Sequence, residues 1–598
     1  MTQSASASHV RGRLPKASRR AARPTLLARL APAFALVLGL ALAGCAGSDL
    51  GKGAGGASPL GKYLAGRYAG AVNDTSAAAG YFSAALEKDP QNLAILRRTF
   101  LLKIADDRFA EAVPLARRLI AAGMGDGLAE LVVALDAVGD GDWPLARETL
   151  AGVKGNGATA LVGPVLTAWS FEAEERTEEA LGALAELNDK SYAAFGDFQR
   201  ALIAEAGGRL DDAEPAYRAL MGGAAGGWVR SVEAYGGFLE RAGRKADAKA
   251  VYDDFLARAP GNPVIRAASE RLAGGKPPPL LVANAREGVA EVLYGAASVL
   301  AQDDARDAAI LYLRLALNER PGFPLAASLL ADMLEEDNRW AQAVATLATI
   351  EKDPILGWSA RQRAALALDR MGRTDEALAR LRAMAAERPG DVEVQVTLAD
   401  LLRERERYAE AAAAYDGAVR ALGTPEERHW VLYFARGVAL ERSRRWDEAE
   451  ADFNKALSLS PDQAPVLNYL AYSWVEQGKN LPEAQRMIER AVALKPDDGY
   501  IVDSLGWVLF RQGRFEEAVA KLERAVELKP DDPIINDHLG DAYWEVGRRL
   551  EARFQWRHAL ALKPEADLAR TLATKIDQGL PARRTAANGA PAGAAPAP

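Results

Sequence analysis

The sequence contains very few of the residues that build metal and redox sites. Its 598 residues include one cysteine and four histidines. One cysteine cannot form an internal disulfide or a thiolate cluster. So few histidines leave little material for a histidine-based metal site. We therefore expect no metal and no cofactor.

Motifs that are typical of catalytic centres are also missing. No G-x-S-x-G, C-x-x-C or H-E-x-x-H occurs in the sequence. The stretch Gly51–Gly56 matches G-x-G-x-x-G, but no strand pattern precedes it, so a dinucleotide site is not expected. His538 lies close to two aspartates and could act as a general acid or base, although a hydrogen-bonding residue in a groove explains it better. We predict a protein that is not an enzyme.

The charge balance gives no reason to expect a nucleic-acid partner. Lysine and arginine total 74, and aspartate and glutamate total 81, so the net charge is −7. The hydrophobic fraction of 49% and the charged fraction of 26% are ordinary for globular proteins. Because the chain is longer than one hydrophobic core usually supports, we expect several domains or a repeat array.

The N-terminal segment has the pattern of an export signal. No acidic residue precedes Asp49, seven basic residues occur there, and an apolar run extends from Leu30 to Ala43. The run is shorter than the roughly 20 residues that span a bilayer. A basic region followed by a short apolar region is typical of a secretory signal. We predict that residues 1–44 are a signal peptide.

The end of the apolar run, Leu42-Ala43-Gly44-Cys45, resembles the bacterial lipobox, and Cys45 is the only cysteine. The resemblance implies cleavage between Gly44 and Cys45 and acylation of Cys45, with an ordinary signal and a chance cysteine as the alternative. Ala46, rather than aspartate, favours the periplasmic face of the outer membrane. Loss of residues 1–44 would change the net charge from −7 to −14, so the lipid, rather than a basic patch, would hold the protein at the membrane.

Helical spacing dominates the rest of the sequence, and a period is visible near the C-terminus. Pro461, Pro496, Pro530 and Pro564 are spaced 35, 34 and 34 residues apart. Small residues such as Gly506 recur at fixed places before each proline, where they would let two helices approach closely. This pattern is identified as the tetratricopeptide repeat (TPR), a helix-turn-helix unit of 34 residues. It implies an all-α fold, a tetratricopeptide-repeat superhelix or α-solenoid, and weaker copies upstream raise the expected number of units to 13 or 14.

Breaks in the period suggest where the arrays begin and end. Pro260 to Pro321 is too long for one unit, and Gly274-Gly275-Lys276-Pro277-Pro278-Pro279 lies within it. We interpret this stretch as a linker between two arrays. The predicted organisation is a signal peptide (1–44), a flexible lipidated tether (45–58), a degenerate N-terminal array (59–260), a linker (261–288), a C-terminal array (289–564), a capping helix (565–580) and a disordered tail (581–598).

The first helix of each repeat lines the concave face of such a superhelix, which predicts a groove for a protein partner. Aromatic groups there offer large rigid contact areas, and acidic and amide groups can hold a peptide backbone. Some of these aromatics could instead pack between neighbouring helices. The predicted groove residues are Asn468, Tyr472, Tyr500, Asp503, Trp507, Phe510, Arg511, Asp537, Asp541 and Trp544.

Two stretches, Asn468–Trp474 and Asp503–Trp507, resemble a family of proteobacterial outer-membrane TPR lipoproteins. The resemblance implies a membrane-anchored periplasmic adaptor that recruits a tail-specific, C-terminal-processing protease or a cell-wall enzyme. The alternative is a structural assembly factor for outer-membrane proteins or an envelope export machine. The resemblance is clearest over residues 430–564 and rests on architecture alone upstream.

Overall fold

The computed structural model describes residues 58–151, 158–187, 193–223 and 227–581. Within these ranges the regular structure consists of thirty α-helices and short 3₁₀ segments, without a β-strand. The predicted signal peptide, Cys45 and nearly all of the tether lie outside the described residues, as does the tail beyond residue 581. None of the described helices is both long and apolar enough to cross a membrane.

The helices follow one another with short turns between them. Numbered in chain order, they are α1 Pro59–Ala71, α2 Thr75–Lys88, α3 Leu93–Ala105, α4 Phe109–Ala121, α5 Leu128–Asp140, α6 Trp143–Ala151, α7 Ala158–Glu172, α8 Thr177–Ala183, α9 Ala193–Ala206, α10 Leu210–Gly222, α11 Val229–Arg241, α12 Lys245–Arg258, α13 Pro263–Gly274, α14 Ala285–Gln302, α15 Arg306–Glu319, α16 Pro324–Glu336, α17 Trp340–Ala348, α18 Gly357–Arg370, α19 Thr374–Glu387, α20 Val392–Glu404, α21 Tyr408–Ala421, α22 Trp430–Arg442, α23 Trp446–Leu459, α24 Ala464–Glu476, α25 Leu481–Leu494, α26 Gly499–Arg511, α27 Phe515–Leu528, α28 Pro533–Glu545, α29 Arg549–Ala561 and α30 Ala566–Gln578.

Fourteen helix pairs make up the array, with α13 and α30 as the two unpaired helices. The turn inside each pair contains a residue with positive φ, such as Gly513 at 81°. Glycine adopts this left-handed conformation without steric cost, which explains its place in the repeat. The start of a unit's first helix is also specified by the sequence. Asp532 caps α28 by accepting hydrogen bonds from two backbone amides, and Pro533 occupies the first turn. The predicted all-α solenoid of tetratricopeptide repeats is confirmed.

Close packing of the two helices in a pair explains the small residues of the period. A β-carbon added to Gly506 would lie 2.5 Å from Leu522 of the partner helix, and one added to Gly437 would lie 2.6 Å from Phe453. Both distances are far inside van der Waals contact. The large residue of the second helix therefore fills the space that the glycine leaves open, and the pair becomes a tightly packed unit.

The stretch 261–288 differs from the linker that we expected. Helix α13 occupies much of it, and Val264 and Ile265 belong to the same hydrophobic core as residues on both sides. The prolines end the helical structure, but the loop after them is anchored: Val282 is buried, and Arg241 donates a hydrogen bond to the carbonyl of Pro279 at 2.8 Å. The core is therefore continuous across this stretch instead of being divided by it.

Helices α14 and α15 pack back against the early helices of the array. Gly288 of α14 faces the indole of Trp169 in α7 so closely that a β-carbon would overlap it. Glu291, which is buried, forms an ion pair with Arg230 of α11 at 2.8 Å. The side chain of Asn73 donates a hydrogen bond to the carbonyl of Asp337, 264 residues away. The N-terminal half thus closes on itself, and its inner side is filled by its own helices.

Helix α30 covers the last repeat, at the position of the predicted capping helix. Leu572 is fully buried against α28 and α29. The Lys575 ammonium group lies 2.8 Å from carboxylate oxygens of Asp537 and Asp541. The apolar end of the solenoid is therefore covered by a helix that is also held by buried charge.

Candidate partner-binding groove

The first helices of the last repeats lie on the inner side of the curve. Neighbouring first helices pack against each other, α24 with α26 and α26 with α28, and more closely than the second helices α25 and α27 do. We call the inner side of α22, α24, α26 and α28 the C-terminal groove. In contrast to the N-terminal half, no described helix of the chain packs into its middle.

Tyr472 and Asn468 of α24 form the centre of the C-terminal groove. Both side chains are half-buried. Burial raises the pKa of Tyr472 above its ordinary value, and the nearby charges of Glu476 and Asp503 act in the same direction. The amide oxygen of Asn468 is enclosed and has no hydrogen-bond partner within the described part of the chain. Because this oxygen is enclosed, a backbone amide of a bound segment can donate to it only after the Asn468 side chain turns toward the groove.

Trp507 stands at the edge of this centre and is held on several sides. Its ring stacks on Phe510, with centroids 4.8 Å apart, and on His538, with centroids 4.0 Å apart. Its indole N–H donates to Glu476 at 2.6 Å, and Arg511 lies 3.5 Å from the same carboxylate. Trp507 therefore packs between helices, as the alternative interpretation of the sequence expected, while its remaining edge is open to the groove.

A buried ion pair lies behind the tryptophan. Nδ1 of His538 is 3.0 Å from both carboxylate oxygens of Asp503, and both side chains are buried. Burial disfavours the charged imidazole, but the Asp503 carboxylate and, with smaller effects, Asp537 and Asp541 outweigh it, so the pKa of His538 is raised. Asp503 is thus used internally to hold His538 and, through it, the stack of rings.

Two other predicted acidic residues are covered by the capping helix. Asp537 and Asp541 share Lys575, and the indole N–H of Trp556 donates to Asp541 at 2.9 Å. Burial raises the pKa of Asp541 to about 6, with Asp537 adding to the shift and Lys575 opposing it. The structure places these two aspartates in a buried cluster, where a partner's basic side chains cannot reach them without displacing α30.

The remaining predicted residues lie either at the capping helix or in the open part of the groove. Trp544 packs on Trp556, with centroids 5.4 Å apart, and against Gly579 at the end of α30, so it belongs to the cap. Tyr500 is half-exposed at 52%, with the Lys529 ammonium group 5.3 Å from its ring centroid. The open part of the groove is therefore smaller than the sequence analysis expected and centres on Asn468, Tyr472, Tyr500, Arg511 and the edge of Trp507.

Sequence reasoning missed three residues of this surface. Glu476 orients both Trp507 and Arg511 and is itself exposed. Val431 and Ile534 are about half-exposed at the second position of α22 and α28, the same position that Tyr500 occupies in α26. Aligning this helix position across the repeats would have found Val431 and Ile534 in one row with Tyr500.

Three stretches of the chain match family models of the tetratricopeptide repeat, over residues 370–429, 430–463 and 506–547. A TPR repeat-containing protein of Pseudomonas aeruginosa is 26% identical over 149 residues. That alignment spans 25% of this chain and 24% of the relative, so the chain is matched to only about a quarter of that relative's length.

Solved structures with similar folds include several repeat proteins at low identity. YrrB, described as a TPR protein with an unusual peptide-binding site, is 21% identical, with a TM-score of 0.26 over 32% of this chain and 97% of its own. The APC/C hetero-tetramer Cut9–Hcn1 is 13% identical, with a TM-score of 0.35 over 88% of this chain and 97% of its own. A tetratricopeptide repeat protein from Parabacteroides merdae is 16% identical, with a TM-score of 0.33 over 48% of this chain and 99% of its own.

Proposed function

We propose that this protein is a lipid-anchored scaffold of the bacterial envelope that holds a protein partner in its C-terminal groove. The main observation in support is the unsatisfied amide oxygen of Asn468 beside the half-buried ring of Tyr472. Burying a polar atom without a partner is costly, so turning Asn468 to accept a hydrogen bond from a bound backbone amide would contribute to affinity. The row of exposed apolar residues along the groove's edge adds contact area.

The location and the partner class rest on the sequence. The lipobox-like Leu42–Cys45 supports acylation of Cys45, and Ala46 supports the outer membrane's periplasmic face. The resemblance to outer-membrane TPR lipoproteins supports a tail-specific protease as the partner, whose substrates the scaffold would present. A Cys45→Ser protein should then incorporate no palmitate label. Labelling that persists in this variant would refute acylation at Cys45.

The groove is tested with Tyr472→Ala. Loss of a central interface tyrosine typically costs about 2 kcal/mol or more, which corresponds to roughly thirtyfold weaker binding. We expect weaker capture of the partner from envelope extract and only a small change in the thermal melt, since Tyr472 is only partly buried. Tyr81→Ala is the matched control, because Tyr81 is an exposed tyrosine on α2 at the other end of the chain. A photo-crosslinking residue at position 472 would identify the captured protein.

Trp507→Ala tests whether Trp507 contributes to partner binding or only to packing of the fold. Because Trp507 stacks on two rings, its loss should lower the melting temperature as well as capture. Unchanged capture by folded Tyr472→Ala and Trp507→Ala proteins would refute the groove as the contact surface and move the partner to the convex side or to the N-terminal array. A crosslinked partner that is neither a protease nor a cell-wall enzyme would refute the adaptor role while leaving the scaffold intact.

A further inference from the structure

Helix α1 has a row of large apolar side chains on the side that faces away from the array. Leu60, Leu64, Tyr68 and Val72 are 65%, 53%, 72% and 54% exposed. Because they are spaced four residues apart, they lie along one side of the helix. The opposite side of α1 packs on α2. We call the row of four residues the end face.

The other end of the solenoid shows that the end face is unusual. There, α30 covers the last repeat and presents polar side chains to solvent, including Asp567, Arg570, Thr574 and Asp577. A terminal repeat of a solenoid needs such a polar outer side for solubility. The end face lacks such a polar side along its row of four residues, which favours an occupant there.

The charges around the end face fit a lipid surface. Helix α1 contains Lys62 and Arg67 and no acidic residue. Arg98 of α3 lies beside it, with a guanidinium nitrogen 3.6 Å from where a β-carbon of Gly70 would be. Within the described residues, Arg67 and Arg98 form no ion pair. Basic groups beside an apolar row that includes a tyrosine are the composition of a helix that lies in the bilayer interface.

The position of α1 in the sequence favours the same occupant. Residues 46–58 separate Cys45 from the helix, and thirteen extended residues span at most about 45 Å. If Cys45 is acylated, the end face stays within this distance of the membrane. A second copy of the chain fits less well, because a symmetric contact between two end faces would bring basic groups together without an acidic partner on either helix.

We propose that the end face docks on the phospholipid surface of the membrane that holds the lipid anchor, so that α1 lies flat on the bilayer. This proposal rests on the anchoring part of the proposed function. Side chains buried in the interface would add a second attachment to the acyl chains. The array would then leave the membrane in a fixed direction instead of swinging on its tether.

The test uses the chain from residue 45 with Cys45→Ser, which keeps every described residue and cannot be acylated. Its binding to vesicles of three parts phosphatidylcholine and one part phosphatidylglycerol is measured by co-sedimentation. Because each fully buried large apolar side chain contributes about 1.5–3 kcal/mol, a partly buried pair should change binding by about tenfold or more. We therefore expect about tenfold weaker binding for Leu64→Ser/Tyr68→Ser.

The matched control is Leu550→Ser/Phe554→Ser. These two residues of α29 are 83% and 66% exposed at the other end of the chain, also four positions apart. We expect this control to bind vesicles as the parent does. Equal binding by both pairs of variants would overturn the proposal, because the apolar contact would then be unspecific.

A second measurement removes any dependence on acylation in cells. The unsubstituted chain from Cys45 is coupled through its single thiol to a maleimide phospholipid, and hydrogen exchange is followed in residues 59–72. Docking predicts slower exchange at the vesicle than in solution, and unchanged exchange overturns it. A dimer in sedimentation velocity that the Leu64→Ser/Tyr68→Ser change dissociates would also overturn it, in favour of a second copy. Loss of partner capture by the groove variants is independent of all these readouts.

Discussion

The close approach of Gly288 to Trp169 makes Gly288→Ala an informative change. The added β-carbon would overlap the indole ring. The ring cannot easily move, because it is fully buried and its N–H donates to Gln199 at 2.8 Å. Overpacking typically costs about 1–3 kcal/mol, and disturbing the hydrogen bond costs about 1 kcal/mol more. Better helix propensity returns about 1 kcal/mol, so we expect a net loss of about 1–3 kcal/mol.

Local hydrogen exchange is the suitable assay, because it reports on α7 and α14 directly, whereas a thermal melt reports on the whole array. A loss of about 2 kcal/mol would speed exchange through local opening in α7 and α14 by roughly thirtyfold. Gly80→Ala is the control, since Gly80 is exposed inside α2 and a β-carbon there meets nothing within 4 Å. That control should be neutral or stabilising by about 0.5–1 kcal/mol. Unchanged protection of α7 and α14 in Gly288→Ala would refute the packing of α14 against α7.

Three further results are expected in the C-terminal half. Lys575→Met should destabilise the cap by about 3 kcal/mol, because it leaves two buried carboxylates without their cation. Hydrogen exchange in α30 should then become much faster, whereas the control Lys521→Met, at an exposed lysine, should have no effect. The raised pKa of His538 contributes stability that is present below its ordinary value of 6.5 and is lost as pH rises through the folded pKa. The melting temperature should therefore fall over that pH range, and it should depend less on pH in His538→Gln. Asp541, whose pKa is raised to about 6, acts in the same direction. Gly506→Trp should unfold its own repeat and loosen its neighbours, which circular dichroism would detect as lost helix.

The regularly spaced prolines and the small residues before them predicted the helix pairs well, because both act through contacts within a few dozen residues. Gly506 against Leu522 is such a contact. The packing of α14 on α7 could not be predicted in this way, since periodicity specifies where a helix forms and not which distant helix it meets. The same limit applies to 261–288, where the prolines follow the end of α13 but that helix and the buried Val282 keep the core continuous.

The groove residues were predicted from their position in the first helix, and the structure shows what that rule omits. Position alone could not reveal that Asp537 and Asp541 neutralise Lys575, because the lysine lies beyond the last repeat. Trp544 was likewise assigned to the groove although Gly579 of the cap lies against its ring. At the end of an array, the capping helix takes the place of the next repeat, so the last unit presents less of its inner side.

The closure of the N-terminal half has a consequence for how the chain folds. In an open solenoid each unit contacts its neighbours, so structure can spread from any point along the chain. Contacts such as Asn73 with Asp337, 264 residues apart, instead require a very long loop to close first. High contact order slows folding, so the C-terminal repeats should form quickly and independently once they are synthesised, whereas the N-terminal half has to bring α14 and α15 back to its early helices. Under the export proposed above, the N-terminal half would therefore be the last part of the chain to become protected from proteases, although it crosses the membrane first.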